Sequence, residues 1–415
     1  MRKNKLRFAV RKFPPFESAI LKSWEKFRAE RGCEVELEMV AMELPEFCKS
    51  TIGEDDGLRN GDWDIAHLNT DWVAQVVHDD MIEDLTPYIK KNPPVDYEAA
   101  WSPAMCEMQH WGDMVLGLPF HNGPECMIYR KDLFESEEEQ AKFLAAYGRP
   151  LRVPASWDEL LDVAHFFQRP EQNLYGVAIA AFPDGHNTVF DFCLHLWTRG
   201  GDLMDKDGRI NINTPEAAEG LSFYQRLVCD KEAVHPACAE LDSVRLGTVF
   251  SHGEAAISFN WFGFSSMCEV VEDSVVKGKI GVANIPAGSH GLPVSLNAYW
   301  LYTIPKGSQH KELAYEFMHF LTRPEQDKML TLEGGIGCRL STWNDEEVNS
   351  IVPYYKQLAA IHQYSRTLPR KIYWSQIESI IDGAVTDAMN TSKTVEQILA
   401  EGQAKIEAVL QKYGE

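Results

Sequence analysis

Residues 116–134 read LGLPFHNGPECMIYRKDLF. A Gly-Leu-Pro turn leads into His121, Asn122, Gly123 and Pro124, residues that suit a loop. A short apolar run, Cys126 to Tyr129, follows as a strand, and Arg130, Lys131 and Asp132 close it with charge. Polar residues and turn-formers on both sides of Pro119, just before a strand, fit two readings. One is an ordinary surface loop; the other is a passage from one domain to another that exposes polar groups to a cleft.

The flanking sequence favours a chain with more than one core. At 415 residues it is long for a single core, and two domains are expected. The formal net charge is −22, with 62 acidic against 40 basic residues, which disfavours nucleic acid and anionic membrane as partners. The longest apolar runs, such as VAIAAF at 177–182, are too short to span a bilayer. The start, MRKNKLRFAV, is basic but has no apolar segment or small-residue cleavage site, and it reads as a first strand, Leu6 to Val10. Either a signal was removed or the protein is cytosolic. Nine cysteines without C-x-x-C or metal-like spacing read as buried small hydrophobes, at least one of them unpaired within the chain.

Before the opening stretch, residues 16–31 place Ile20, Trp24, Phe27 and Arg31 at helical spacing, with Gly32 as C-cap. Strands follow at 35–40 and 65–68, then a helix from Thr70 or Asp71 as N-cap. Strand, helix, strand, strand, helix is an α/β order with parallel pairing. After the stretch, Ser156 and Glu159 form a capping-box signature, and Thr214-Pro215 opens another helix. The segment 205–212, DKDGRINI, reads as an Asp-Gly turn, since the later ligands of a calcium loop are missing. The apolar run PVSLNAYWLYTIPKG at 293–307 is long for one strand, and helices fill the last 45 residues or so. No repeat or low-complexity linker separates the domains.

In order along the chain, KLRFAV, GDWDIAHLNTDW, the opening stretch, PASWDELLDVA, LWTRGGDLMDKDGRININTPEAAEGLSFY, HGEAAISFNWF, GKIGVANIPAG and IPKGSQHKELAYEFMHFLTRPEQ resemble the family 1 extracellular solute-binding proteins of bacterial ABC importers, the maltose-binding-protein-like group. Each motif is weak alone; the series is specific and covers most of the chain. The missing signal peptide or lipid-anchor cysteine and the many cysteines depart from the family. The resemblance implies an α/β, two-domain periplasmic-binding-protein fold with three interdomain crossings and a ligand cleft between the lobes. By motif, residues 1–116 and 300–325 form the N-terminal lobe, and 117–299 and 326–415 the C-terminal lobe. It also implies a binding component that captures a saccharide or sugar derivative, closes, and delivers it to membrane permease subunits. The expected location is the periplasm or the extracellular face of the membrane, as a monomer, without catalytic residues, cofactor or metal.

Open α/β sheets bind ligands beyond the carboxyl ends of their strands. Asn69, Asp71 and Trp72 follow such a strand, although Asp71 also suits a helix cap and Trp72 a core position. Arg11 follows the first strand. Asn260 and Trp261 end AISFNW; Phe120, His121 and Asn122 lie in the opening stretch. Asn297, Tyr299 and Trp300 sit in the expected second crossing, where core aromatics are also needed. Arg339 lies in the glycine-rich GGIGCRLS, and His186 and Asn187 in a polar turn. Trp374 matches a ligand-stacking position in the family. Aromatic faces and amide, carboxylate or guanidinium groups suit a pyranose, with its apolar C–H faces and its hydroxyls.

Two other readings stay open. One is a carbohydrate-active hydrolase using two carboxylates; among 62 acids some pair always looks suggestive. The other is a binding protein for a polyamine, a phosphorylated compound or a metal chelate. Cleft acids without Trp would favour a polyamine, and clustered Arg, Lys and helix N-termini would favour phosphate.

Overall fold

The strand Lys5–Arg11 organises the first unit of the chain. In the computed structural model, which describes residues 4–288 and 291–415, it pairs in parallel with Glu36–Met42 on one side, Lys5 facing Glu36 through to Arg11 facing Met42. On its other side it pairs in parallel with Ile65–Asn69, Phe8 facing Ile65. All three strands therefore end on one edge, at Arg11, Met42 and Asn69. The carboxyl half of Ser295–Thr303 then adds antiparallel to Ile65–Asn69, with Trp300 opposite Asn69 and Thr303 opposite Ala66. The helix Pro14–Arg31 covers this sheet. Proline sets its first turn, Phe16, Ile20, Trp24 and Phe27 form the buried stripe, and Gly32 ends it at φ 63°.

The first unit comprises the chain up to Gly123, Ala298–Lys356 and Arg370–Ile372. Pro124–Asn297, Gln357–Pro369 and Tyr373–Glu415 form the second. This division differs from the one expected from motif order. The opening stretch is no loop: Leu118–Arg130 is one continuous strand, and the chain changes unit inside it, after Gly123. Residues 326–356, expected in the second unit, pack with the first. Gln326 accepts the hydroxyl hydrogen of Ser23 at 3.0 Å, and Asp327 accepts the backbone N–H of Cys338 at 2.9 Å and the hydroxyl of Thr342 at 2.6 Å. A buried carboxylate with that many donors holds the glycine-rich segment in place.

In the second unit the strand Ala255–Trp261 runs antiparallel to the end of Leu118–Arg130, Glu125 facing Trp261 and Tyr129 facing Ile257. Tyr175–Ala178 joins in parallel on its far side. Ile280–Ala283 pairs antiparallel with the other edge of 127–130. The helix Asn187–Trp197 is buried along its whole length, packed on Pro215–Cys229 and Trp374–Asn390. Local signals account for most helix starts. Thr214 accepts from the N–H of Ala217, and Thr394 with Gln397 makes a full capping box. At Ser156 the box is shifted: Ser156 accepts from Glu159, but the Glu159 carboxylate takes the N–H of Ala155. The N-cap expected at Thr70 or Asp71 is Asn69, whose side chain accepts from Asp71 N–H at 3.0 Å and starts a short 3₁₀ turn before Val73–His78. No disulfide joins any of the nine cysteines among the described residues. No helix among the described residues is long and apolar enough to cross a membrane.

Gly117 is required for space rather than for an unusual torsion, since it does not lie in the positive-φ region. A Cβ there would stand 2.5 Å from the carbonyl oxygen of Tyr302 and 2.9 Å from Cβ of Leu301. Gly117→Ala should therefore destabilise the protein by about 1–3 kcal/mol through overpacking. Denaturant unfolding checks this, and an unchanged midpoint would show that the strands part without cost.

Candidate functional site

In the first unit the polar candidates gather at the carboxyl edge of the parallel strands. Asn69 is wholly buried, its Oδ1 engaged by Asp71 N–H, and its Nδ2 has no hydrogen-bond partner among the described residues. Asp71 is half-buried as a residue, yet its Oδ2 is enclosed and also lacks a partner. Burial pushes its carboxyl up to about 7. Trp300, directly across the ladder from Asn69, is half-buried. It meets Trp72 edge to face at 5.7 Å, while Trp72 stacks on Phe47 at 6.1 Å and belongs to the core. Arg11 turns to Glu43 at 3.0 Å and to the carbonyl of Lys12.

His67, absent from the sequence candidates, stands in this group. Its Nδ1 accepts from the N–H of Arg11 at 3.2 Å, which leaves the proton on Nε2. Burial and the nearby His121 hold it neutral. Phe120 fills the space beside it, 4.2 Å from its ring, and stacks on Tyr302 at 4.1 Å. His121 accepts from Ile336 N–H at 3.2 Å and burial lowers it to about 3. Asn122 is buried, and its backbone N–H donates to Ile336. Tyr299 is buried, its N–H donated to Thr70. Arg339 is 2% exposed and its guanidinium donates to the carbonyls of Thr322 at 2.8 Å and Val95 at 2.7 Å. Those bonds give it a structural task.

In the second unit Trp261 ends its strand half-buried, and Phe190 meets it edge to face at 5.3 Å. Its neighbour Asn260 is turned away: Nδ2 donates to the carbonyl of Ser243 at 2.9 Å and Oδ1 accepts from Trp261 N–H at 2.8 Å. Directly across the ladder from Trp261 lies Glu125, which is 7% exposed and whose enclosed Oε2 has no partner among the described residues. Burial, reinforced by Asp191, pushes the Glu125 carboxyl well above the usual range. Asp191 accepts from Tyr224 Oη at 2.7 Å and is pushed up to about 7, chiefly by burial. His186 packs against Phe190 at 4.1 Å, and Asn187 donates to Asp184 at 2.6 Å. Asn297 contacts His362 at 3.3 Å. Trp374 is buried, its indole N–H given to Glu378 at 2.6 Å. Glu125 and Asp191 were missed in sequence because acids are abundant. A signal existed at Asp191, a lone charge in the apolar run NTVFDFCLHLW.

Each unit thus presents the same device, a half-buried tryptophan paired across a ladder with an enclosed polar side chain that retains an unpartnered atom. Residues directly opposite on antiparallel strands share a face, so the ring and the polar atom stand side by side. No group of acids, histidines and cysteines that could hold a metal occurs among the described residues.

Residues 52–328 match the family described as bacterial extracellular solute-binding protein. Among curated relatives, a probable ABC transporter-binding protein of Deinococcus radiodurans is 24% identical over 299 residues, covering 71% of this chain and 68% of the relative. Among solved structures, maltose-bound MalE3 of T. maritima superposes with a TM-score of 0.84 at 22% identity, covering 98% of this chain and all of that one. A solute-binding protein of Agrobacterium radiobacter K84 in complex with ribitol gives 0.85 at 22% identity, covering 98% and 99%.

The pH dependence of stability isolates Asp71. In the fold its carboxyl keeps its proton to about pH 7, whereas unfolded it loses it near 3.8. The folded state binds the extra proton in that window, so this group's contribution falls as pH rises through it. His67, His121 and His362, all lowered by burial, act in the opposite direction. The comparison must therefore be with a variant that keeps them. Asp71→Asn should gain stability relative to the parent as pH rises from about 4 to 7, by about 1–2 kcal/mol once solvent access is allowed for. Thermal melts across that range check it; a constant difference would place Asp71 in water.

Proposed function

The chain belongs to the bacterial extracellular solute-binding protein family, and on that premise we propose that it is the solute-binding component of an ABC importer, acting outside the cytoplasmic membrane on a sugar or polyol. The observation that carries this reading is the repeated pairing of a half-buried tryptophan with an enclosed polar atom, Trp300 with Asn69 and Trp261 with Glu125. A sugar presents C–H faces to an indole and hydroxyls to amides and carboxylates, and those hydroxyls would supply the missing hydrogen bonds. Selectivity follows, because an analogue lacking a hydroxyl leaves a buried group unpaired. Ligand contacts are assigned to Asn69, Asp71 and Trp300 in the first unit and to Trp261 and Glu125 in the second. Maltose and ribitol, bound by the two structural neighbours, belong to the same chemical classes.

The test is a thermal-shift screen over sugars and polyols, since a ligand bound only by the native state adds about 2.7 kcal/mol at a hundred times its Kd. A panel without any shift would remove the sugar reading. With the best ligand, Trp261→Ala should weaken binding by about 1–3 kcal/mol in calorimetry while the unliganded melting temperature stays near the parent's. Unchanged affinity with a large loss of stability would assign Trp261 to the core. Prolonged incubation should return the ligand unaltered by chromatography. Cleavage that disappears on mutating Glu125 or Asp191 would instead establish the hydrolase.

A further inference from the structure

We infer that the solute carries a positively charged amino group, so that within the sugar and polyol class the preferred ligands are amino sugars or amino polyols, and that Glu125 with Asp191 receives this group beside Trp261. The inference rests on the sugar reading above and narrows it.

The geometry lies wholly in the second unit. Glu125 and Trp261 are opposite each other on antiparallel strands and share a face. Phe190 stands edge-on to Trp261 at 5.3 Å, and Asp191 is the next residue on the same helix. Glu125 and Asp191 are both more than nine-tenths buried. The groups that act on them are each other, Asp184 and Tyr224, with no cation among these. Tyr224 satisfies one oxygen of Asp191, while Oε2 of Glu125 has no partner among the described residues. Asp184 is already occupied, accepting from the N–H groups of His186 and Asn187 and from the Asn187 side chain.

Two enclosed carboxyls without a counter-charge repel each other when ionised, and burial favours their protonated forms. A neutral hydroxyl relieves this weakly. An ammonium relieves it more, because it supplies three donors and one positive charge to a pair that need then keep only one proton. The aromatic neighbours fit the same guest: a cation near the indole face gains from the ring quadrupole, most strongly when desolvated. Acids alone would suit a polyamine, whereas acids beside a half-buried indole and a phenyl edge suit an amine attached to a ring or chain with C–H faces. The chain's net charge of −22 adds a field that draws a cation toward it.

The experiment is calorimetric titration of the full chain with matched pairs, glucosamine against glucose, galactosamine against galactose, and an amino polyol against its parent polyol, alongside putrescine. The inference expects at least one amino compound to bind tenfold or more tightly than its neutral partner. It further expects Glu125→Gln, an isosteric change whose folding is verified by thermal melt, to abolish that preference by weakening the amino compound at least tenfold more than its neutral partner. Asp191→Asn should reduce the preference as well. Tighter binding of the neutral member of every pair would overturn this inference and leave the sugar reading standing. Binding of putrescine alone would retain the acidic amine site but overturn the sugar reading and with it the ligand class inferred here. An amine preference that survives in both folded variants would place the charge recognition elsewhere and overturn the assignment to Glu125 and Asp191.

Discussion

An enclosed polar atom without a hydrogen bond destabilises a fold by about 1–3 kcal/mol, and this chain carries that cost at Asn69, Asp71 and Glu125. The same shortfall recurs at other buried atoms, Trp101 Nε1, Trp197 Nε1, Ser258 Oγ and Arg339 Nε among them, while other buried groups are well supplied. Asp327 collects the N–H groups of Cys338 and Arg339 and the hydroxyl of Thr342, and Arg339 spends its guanidinium on two carbonyls. What sets Asn69 and Glu125 apart is that each stands directly across a ladder from a half-buried tryptophan.

The scaffold explains how the deficit arises. Three parallel strands bring Arg11, Met42 and Asn69 to one edge, where the polar ends of the strands have no further strand to meet. The antiparallel addition of Trp300–Thr303 then sets an indole opposite Asn69. In the second unit the antiparallel pairing of residues 125–129 with 257–261 does the same for Glu125 and Trp261. Register is the controlling variable in both places, because a slip of one residue would turn each ring to the opposite face of its sheet.

Much of this was legible in sequence, for physical reasons that differ by element. The helix Pro14–Arg31 announces itself by apolar spacing and its glycine stop, and Pro215–Cys229 by Thr-Pro at its start. The motif order led to the α/β solute-binding fold. The strand Leu118–Arg130 was partly hidden, because His121, Asn122, Gly123 and Pro124 have turn chemistry that tertiary pairing overrides. The candidate tryptophans separated only in three dimensions. Trp72 joins a core cluster and Trp374 is buried with its N–H bound to Glu378, whereas Trp261 and Trp300 remain half-buried. Local sequence does not encode that difference, since all four follow apolar runs or open helices. Glu125 lies inside the stretch 116–134, but its importance comes from its cross-strand neighbour, which is 136 positions away.

Native mass spectrometry of the full chain with a mixed library of neutral and amino sugars and polyols tests the central claim most directly. The account predicts one adduct per 47.1 kDa chain, with the mass of an intact library member, which disappears when Trp261 and Trp300 are both replaced by alanine in a folded protein. The absence of any adduct at ligand concentrations well above micromolar, or an adduct that persists in the double variant, would contradict it.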